Sequence, residues 1–131
     1  MMFNPDIARE WLGTPWRHNC QVKGVGVDCI NFLEAVAKES GYDIPPIPSH
    51  YGRTAIDDGI REYLNQYFIP TNTIATGTII LFQFGGYNNH VAIATSEHTM
   101  IHASFRHGKV VEHPIDGLWQ RIIKGLWIWE N

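Results

Sequence analysis

The segment GVGVDCINFLEAVAKES places a cysteine directly after an acidic residue, at the start of an apolar run with helical spacing. Asp28 fits the N-cap of a helix that continues to about Ser40, and Gly41 fits its end. Cys29 then lies in the first turn, where unpaired backbone N–H groups and the helix dipole favour the thiolate that attacks carbonyl carbon. The Asp28 charge opposes this effect unless capping occupies the carboxylate. We therefore predict that Cys29 is a nucleophile; the alternative is a small buried helix residue.

A nucleophilic cysteine needs a base and a group that orients the base. His90 opens the apolar run HVAIA, and His102 lies in the next run, TMIHASF. If a hairpin pairs Thr95 with Thr99, His102 lies opposite Ala92, on the same face as His90. The two histidines are then diagonal neighbours about 7–8 Å apart at the backbone, within reach of two imidazole rings. A register slip of one residue would move His102 to the other face. We predict His90 as the base and His102 as the orienting group.

Small residues surround the two histidines on the predicted face of the hairpin. Ala92, Ala94 and Ser104 leave room there, so we expect the Cys29 helix to pack over this face. The remaining histidines are expected at the surface or in loops: His18, His50, His98, His107 and His113. No histidine pair has the four-residue spacing with an intervening acid that marks a metalloprotease helix, so no metal and no cofactor are predicted.

Caps, prolines and periodicity predict the elements that position these residues. Helices are predicted over NPDIAREWLG, with Ile7, Trp11 and Leu12 on the buried side, and over AIDDGIREYLNQYF. The segment TPWRHNCQVKGVGVD is predicted to be a loop. The segment YDIPPIPSHYGR (42–53) cannot form a helix or a central strand because it is rich in proline, and it is long enough to cover a groove.

After Pro70 the spacing of apolar residues changes from helical to strand-like. Strands are predicted over GTIILFQF, HVAIATS, TMIHASF, KVVEHPI and LWIWE, the last with Trp127 and Trp129 on one side. Helices followed by antiparallel strands are typical of an α+β fold rather than of alternating βαβ units.

Length and composition indicate a single domain over residues 1–131. The net charge of −3 gives no general attraction to nucleic acid or to an anionic membrane. No apolar run is long enough for a membrane span, and the N-terminal MMFNPDIAREW lacks the features of a secretory signal, so we expect synthesis in the cytoplasm. Cys20 and Cys29 are too few for a disulfide scaffold. Cys20 is interpreted as a loop residue, and a bond between the two would silence the nucleophile.

Four ordered motifs make the chain resemble the NlpC/P60 cysteine peptidases, especially their short phage-associated cell-wall peptidase branch. GTPWRH resembles the family's Gly-Thr-Pro-Tyr element, and GVGVDC resembles its Asp-Cys nucleophile signature. HVAIA resembles the strand that carries the base, and MIHAS resembles the strand whose polar residue completes the triad. The resemblance covers nearly the whole chain, and the ordered set is more specific than any one motif.

The resemblance implies a papain-like α+β core in which the nucleophile helix packs on an antiparallel β-sheet. It implies Cys29 as the nucleophile, His90 as the general base and acid, and His102 as the orienting group. The backbone N–H of Cys29 would contribute to the oxyanion hole, which suits a helix N-terminus.

The resemblance also implies residues that contact the substrate. Asp28 and Trp16 occupy positions that hold the N-terminal end of the substrate in several members, and Arg17 beside Trp16 is grouped with them. Trp16 replaces the family's tyrosine, so a hydroxyl that could hold substrate is missing, and indole N–H can donate but cannot accept. Ile30-Asn31 replaces the common Ser-Gly after the cysteine, which removes a second hydroxyl from the groove.

The implied function is a cysteine endopeptidase that cuts peptidoglycan stem peptides, commonly between γ-D-glutamate and the next diamino acid. The branch implies phage or prophage tail proteins as partners and the bacterial cell wall as the place of action. Two alternatives stay open: a catalytically silent structural tail component, and an amidase acting on a different cell-wall bond. The loss of Cys29, His90 or His102 would be the mark of a silent component, and all three are present.

Overall fold

The computed structural model describes residues 3–48, 59–84 and 88–129. Within these ranges the helices are α1 (Pro5–Arg9), α2 (Cys29–Glu39), α3 (Gly59–Tyr67) and α4 (Gly117–Arg121). The strands are β1 (Gln21–Val22), β2 (Gly26–Val27), β3 (Ile69–Pro70), β4 (Ile79–Phe84), β5 (Asn88–Ala94), β6 (Thr99–Ser104), β7 (Lys109–Pro114) and β8 (Ile123–Ile128). His50, the end of the proline-rich segment and the start of the second predicted helix lie outside the described residues.

The first helix, α1, begins as the sequence predicts but is shorter. The Asn4 side chain caps it, and Pro5 occupies the first helical position. Gly13 has a φ of 84°, in the left-handed region that favours glycine, and turns the chain away. Trp11 is buried as predicted, whereas the prediction for Leu12 is wrong because its side chain is 45% exposed. The helix has ended before residue 12, so helical spacing no longer sets the side on which Leu12 lies.

The helix that begins at Cys29, α2, has the predicted bounds. Asp28 is its N-cap and Ser40 its C-cap, and Gly41 follows with a φ of 84°. The apolar side of the helix is buried: Phe32, Leu33, Val36 and Ala37. Cys29 is half-buried and packs against the same core. Capping and local spacing are therefore enough to place the cysteine at the start of the helix.

The later strands form an antiparallel sheet that is flanked by the helices. Within the described residues this sheet has six strands in the order β3-β8-β4-β5-β6-β7. Every neighbouring pair in it is antiparallel. The strands β1 and β2 form a separate antiparallel ribbon immediately before α2. The predicted α+β class is confirmed, although β8 begins at Ile123, earlier than the LWIWE segment alone indicates.

The two faces of the sheet bury different cores, and α2 packs on the face that we did not predict. Phe32 and Leu33 of α2 share a core with Val91 and Ile93 of β5. The opposite face carries small residues such as Ala92, and it packs against α4 and the residues around it. The expectation that α2 covers the Ala92 face is therefore wrong. The larger apolar side chains of the Val91 face offer the helix more apolar area to bury.

The proline-rich segment lies against α2 and α3 in its described part. Residues 42–48 contain no helix or strand, as predicted. The backbone N–H of Ile47 donates to Glu34 Oε1 at 2.6 Å, and the Tyr63 hydroxyl donates to the carbonyl of Pro45. None of the helices in the described ranges combines the length and the apolar content that a membrane crossing requires.

Candidate active site

The carboxylate of Asp28 shapes the start of α2. Its Oδ1 accepts the backbone N–H and the side-chain amide of Asn31, each at 2.9 Å. Its Oδ2 accepts the backbone N–H of Asn19 at 2.8 Å. Only 8% of the residue is exposed. The capping role predicted for Asp28 is therefore present, and the same carboxylate ties the preceding loop to the helix that carries Cys29.

Backbone N–H groups surround the Cys29 thiol, but burial controls its charge. Burial raises the pKa of Cys29 to about 11, although hydrogen bonding from the backbone of Val91 lowers it and the nearby Asp28 charge raises it. The backbone groups of Ile30 and of Cys29 itself lower the pKa further. Desolvation therefore opposes the stabilisation of the thiolate that the helix N-terminus provides. The substrate-free site holds a neutral thiol beside N–H donors that can stabilise an anion.

The hairpin of β5 and β6 brings His90 and His102 together in the predicted register. Ile93 pairs with Ile101 and Ala94 pairs with Met100, and in this register Ala92 and His102 are the next residues along the two strands. Nε2 of His90 lies 2.7 Å from Nδ1 of His102, which is twelve positions further along the chain. This contact leaves Nδ1 as the ring nitrogen of His90 that can take a proton from a thiol.

Both imidazoles are neutral at neutral pH because they are removed from water. Burial lowers the pKa of His90 to about 4, and a charge on His113 would lower it further. Burial also places the pKa of His102 well below its usual range, with the neighbouring histidines acting in the same direction. His102 has no exposed surface. A neutral imidazole has a ring nitrogen that can accept a proton, which is the state that a general base needs.

A third imidazole, which sequence reasoning assigned to the surface, extends this pair. His113 lies on β7, and its Nε2 is 2.8 Å from Nε2 of His102. The prediction that His113 is a surface or loop residue is wrong, because β7 pairs with β6 and places Met100 opposite His113. His113 is thus a diagonal neighbour of His102. The signal was the SFRHGK turn, in which Gly108 has a φ of 75° and sets the register of β7.

An indole covers the imidazoles on the face of the sheet opposite α2. The ring centroid of Trp119 lies 6.3 Å from that of His90, 5.2 Å from that of His102 and 5.4 Å from that of His113. Phe82 and Phe84 of β4 border His90 at 6.3 and 6.0 Å. This aromatic cover keeps water from the ring nitrogens and accounts for the low pKa of the buried histidines.

The structure places Trp16 partly in the core and Arg17 at the surface. Trp16 is half-buried and packs against the same core as Cys29, and its ring meets Phe105 edge-on at 4.9 Å. Arg17 is exposed, and its aliphatic carbons lie against Gly26, where a Cβ would come within 2.5 Å. Cys20 and Cys29 are both free thiols. The backbone of Trp16 also forms a bridge with Val27, two residues before Cys29.

Metal ligands do not cluster at this site. In the ranges 3–48, 59–84 and 88–129, no group of three or more His, Cys, Asp or Glu side chains is arranged to hold a metal ion. The ring nitrogens of His102 face His90 and His113 rather than a shared centre. The chemistry available to the described residues is that of a thiol, imidazoles and backbone N–H groups.

Curated relatives of the chain include an enzyme of Escherichia coli K12 named murein DD-endopeptidase MepS/murein LD-carboxypeptidase. The two are 23% identical over 117 residues, which cover 88% of this chain and 56% of the relative. The corresponding proteins of two further Escherichia coli strains match equally. The chain thus spans about half the length of the curated relatives it matches.

Solved structures share the fold at low identity. A lipoprotein-like NLP/P60 family protein of Staphylococcus aureus superposes with a TM-score of 0.71 at 18% identity, over 97% of this chain and 40% of that chain. The NlpC/p60 domain of the peptidoglycan hydrolase SagA gives a TM-score of 0.63 at 21% identity, and the match covers 94% of this chain and 93% of that chain. The peptidoglycan hydrolase RipB of Mycobacterium tuberculosis gives a TM-score of 0.61 at 18% identity, and the match covers 95% of this chain and 61% of that chain.

The sequence profile of the NlpC/P60 family matches residues 13–127. The matched region contains all four motifs singled out in the sequence, from GTPWRH to MIHAS, and both core strands of the site. The structural neighbours carry the same arrangement of helices on an antiparallel sheet. The chain belongs to the NlpC/P60 family.

Proposed function

We propose that the chain is a cysteine peptidase that hydrolyses stem peptides of peptidoglycan, with Cys29, His90 and His102 as its catalytic residues. The observation that carries the proposal is the 2.7 Å contact of His90 with His102, on a strand whose next residue, Val91, hydrogen-bonds Cys29 through its backbone. The backbone of Val91 thus links Cys29 to the strand that carries His90. Membership of the NlpC/P60 family, and relatives named as murein endopeptidase and peptidoglycan hydrolase, support the substrate class.

The reaction would proceed by acyl transfer through Cys29. The thiol proton passes to Nδ1 of His90 as the sulfur attacks the carbonyl carbon of the scissile amide. Backbone N–H groups at the start of α2 stabilise the oxyanion. The C–N bond breaks, the amine leaves with the proton from His90, and a thioester remains. Water then gives a proton to His90 and hydroxide to the thioester carbon, which releases the acid and restores the thiol.

The substrate would approach along the loop that precedes α2. A carboxylate can accept about four hydrogen bonds, and Asp28 already accepts three, so one acceptor position remains for the amine end of a substrate. Trp16 would provide an apolar wall, and Arg17 would face the acidic groups of a stem peptide from the surface. The Asp28 contact depends on the substrate reaching a side chain that is largely buried.

The scissile bond in this proposal joins γ-D-glutamate to the diamino acid. Digestion of soluble muropeptides of several wall types, read by mass spectrometry, tests it. The proposal expects fragments that end in γ-D-glutamate. Fragments from cleavage between two D-amino acids would instead match the DD-endopeptidase activity in the name of MepS, and release of the whole stem from the glycan would assign an amidase. Intact muropeptides after digestion of every wall type would favour a silent structural component.

The proposed place of action is the bacterial cell wall, with a phage or prophage tail as the carrier. The support is the resemblance of the motifs to the short phage-associated branch. Proteomics of purified particles from an induced lysogen that encodes the chain tests this part separately. The protein is expected in tails at a fixed ratio to other tail proteins. Its absence from intact particles would contradict the association with a tail but not the proposed peptidase activity.

A further inference from the structure

Three imidazoles stand in series across three neighbouring strands. Nε2 of His90 contacts Nδ1 of His102 at 2.7 Å, and Nε2 of His102 contacts Nε2 of His113 at 2.8 Å. The remaining nitrogen of His113, Nδ1, lies 2.9 Å from the carbonyl oxygen of Pro114. The series therefore begins at a backbone carbonyl and ends at Nδ1 of His90, the nitrogen that faces no other histidine.

The carbonyl of Pro114 fixes the direction of every hydrogen bond in the series. A carbonyl oxygen can only accept, so Nδ1 of His113 must carry a proton. A neutral imidazole has one N–H, so Nε2 of His113 accepts and Nε2 of His102 donates to it. For the same reason Nδ1 of His102 accepts, and Nε2 of His90 donates to it. Nδ1 of His90 is then left with a free lone pair, which is the state that a base needs.

The deduction applies to the state in which all three rings are neutral, and the surroundings of His90 and His102 favour that state. His102 has no exposed surface, and Trp119 lies against the rings of all three histidines. Burial lowers the pKa of both His90 and His102. Each of these two rings therefore holds one N–H at neutral pH. The directions of these hydrogen bonds also stay the same when His90 takes up a proton, because an imidazolium at His90 still donates from Nε2 to His102.

We propose that His113 is a positioning residue, which acts through His102 to keep the proton of His90 on Nε2 and leave Nδ1 free for the thiol. The catalytic meaning of this role rests on the function proposed above. The Pro114 carbonyl can only accept a hydrogen bond, so it sets the direction of the hydrogen bonds in the series. Without an acceptor at position 113, the Nε2–H of His102 loses its partner, and His102 no longer prefers the tautomer that accepts from His90.

The tautomers can be measured without any substrate. Heteronuclear NMR of 15N-histidine-labelled wild-type protein near pH 7.5 is expected to show the proton on Nε2 of His90, on Nε2 of His102 and on Nδ1 of His113. A proton on Nδ1 of His90 in the substrate-free protein would overturn the proposal. This measurement shows which ring nitrogens carry protons whether or not any muropeptide is cleaved. A failure of this proposal can therefore be distinguished from a failure of the proposed function.

Kinetics with variants at position 113 test the catalytic consequence. His113→Gln offers an amide oxygen to His102, and we expect kcat within about fivefold of wild type. His113→Leu offers no acceptor, and kcat should fall by about 10–100-fold with KM little changed. This loss is smaller than the loss expected when general acid–base catalysis is removed altogether. His107→Gln, beside His113 in the turn, serves as the matched control and should leave kcat within about twofold.

A residue with only a structural role would behave differently at position 113. The loss of kcat would then follow the loss of thermal stability, and His113→Gln would give no rescue relative to His113→Leu. The proposal is also overturned if His113→Leu remains folded with the wild-type tautomers and the wild-type kcat. Where His113→Leu fails to fold, the tautomers of the wild-type protein and the kinetics of His113→Gln carry the test.

Discussion

Nε2 of His90 and Nδ1 of His102 lie 2.7 Å apart because the turn between β5 and β6 sets a register in which the two residues are diagonal neighbours. The contact fixes the His90 ring against a ring that has no exposed surface. Replacing His102 by Leu removes the acceptor for the His90 N–H, and we expect kcat to fall by about 10²–10⁴-fold. His102→Gln keeps an acceptor and should retain most of the rate.

Steady-state kinetics on soluble muropeptides measures this difference, with thermal unfolding as the check on folding. The comparison of Leu with Gln separates orientation of His90 from filling of the core, since both variants change the shape of a buried side chain. A folded His102→Leu variant with wild-type kcat would show that another group orients His90.

Stability should fall in mild acid because His90 is neutral in the folded protein. Burial lowers its pKa to about 4, whereas an unfolded chain takes up the proton near pH 6.5. The unfolded state thus binds more protons between these values, so stability is lost as the pH falls from about 6.5 through about 4. For His90 alone the loss at pH 4 amounts to about 3 kcal/mol, since one pKa unit corresponds to about 1.4 kcal/mol.

Urea unfolding at several pH values between 7.5 and 4.5 measures this loss. The His90→Gln variant should lose clearly less free energy of unfolding than wild type over the same range. His98→Gln is the control, because the His98 side chain is 83% exposed. Parallel pH dependence for wild type and His90→Gln would contradict the burial argument.

The charge of Asp28 should slow the alkylation of Cys29. Burial is the main reason why the pKa of Cys29 is raised to about 11, and the Asp28 carboxylate raises it further. Asp28→Asn removes the charge but keeps an oxygen that can accept the Asn31 N–H at the N-cap. The pKa of Cys29 should then fall, and iodoacetamide should modify Cys29 faster at pH 8.

Peptide mapping of the alkylated protein measures the two thiols in one sample. Cys20 provides the internal reference, since it is a free cysteine outside the Asp28 cap. An unchanged or slower rate at Cys29, with an unchanged rate at Cys20, would mean that the Asp28 charge does not act on the nucleophile.

Glu34 should hold the proline-rich segment against α2. Its carboxylate is buried, which raises its pKa, but bonds from Gln21, the Ile47 backbone N–H and Lys38 outweigh this and lower the pKa overall. Glu34→Ala leaves the Ile47 N–H without its acceptor, and we expect a loss of about 1.5–3 kcal/mol.

Chemical unfolding and limited proteolysis measure the effect of Glu34→Ala. Faster cleavage should appear within residues 42–48, the part of the segment that ends beside Glu34. The exposed Glu62 of α3 is the matched control, because Glu62→Ala should change stability by less than about 0.5 kcal/mol. Equal stability of the Glu34 and Glu62 variants would contradict the role assigned to Glu34.

Parts of the fold that depend on neighbouring residues could be predicted from local signals in the sequence. The N-cap of α2 at Asp28 and its end at Gly41 depend on neighbouring residues, and both are as predicted. The β5–β6 register followed from one short turn, and it brought His90 and His102 together as predicted.

Features that depend on distant parts of the chain were not accessible in the same way. The strand HVAIA has apolar residues on both faces, so alternation alone did not show that α2 packs on the Val91 face and α4 on the other. The role of His113 depends on a second register, between β6 and β7. The raised pKa of Cys29 depends on burial by the whole fold, which a helix N-terminus alone does not reveal.

The central claim is that Cys29 is the nucleophile of a peptidoglycan peptidase. Its most direct test is the initial rate of muropeptide cleavage by wild type, Cys29→Ala and Cys20→Ala, measured side by side by mass spectrometry on reduced protein. The claim predicts that Cys29→Ala removes cleavage by at least about 10³-fold, whereas Cys20→Ala keeps the wild-type rate. Cleavage by a folded Cys29→Ala variant at the wild-type rate would contradict it.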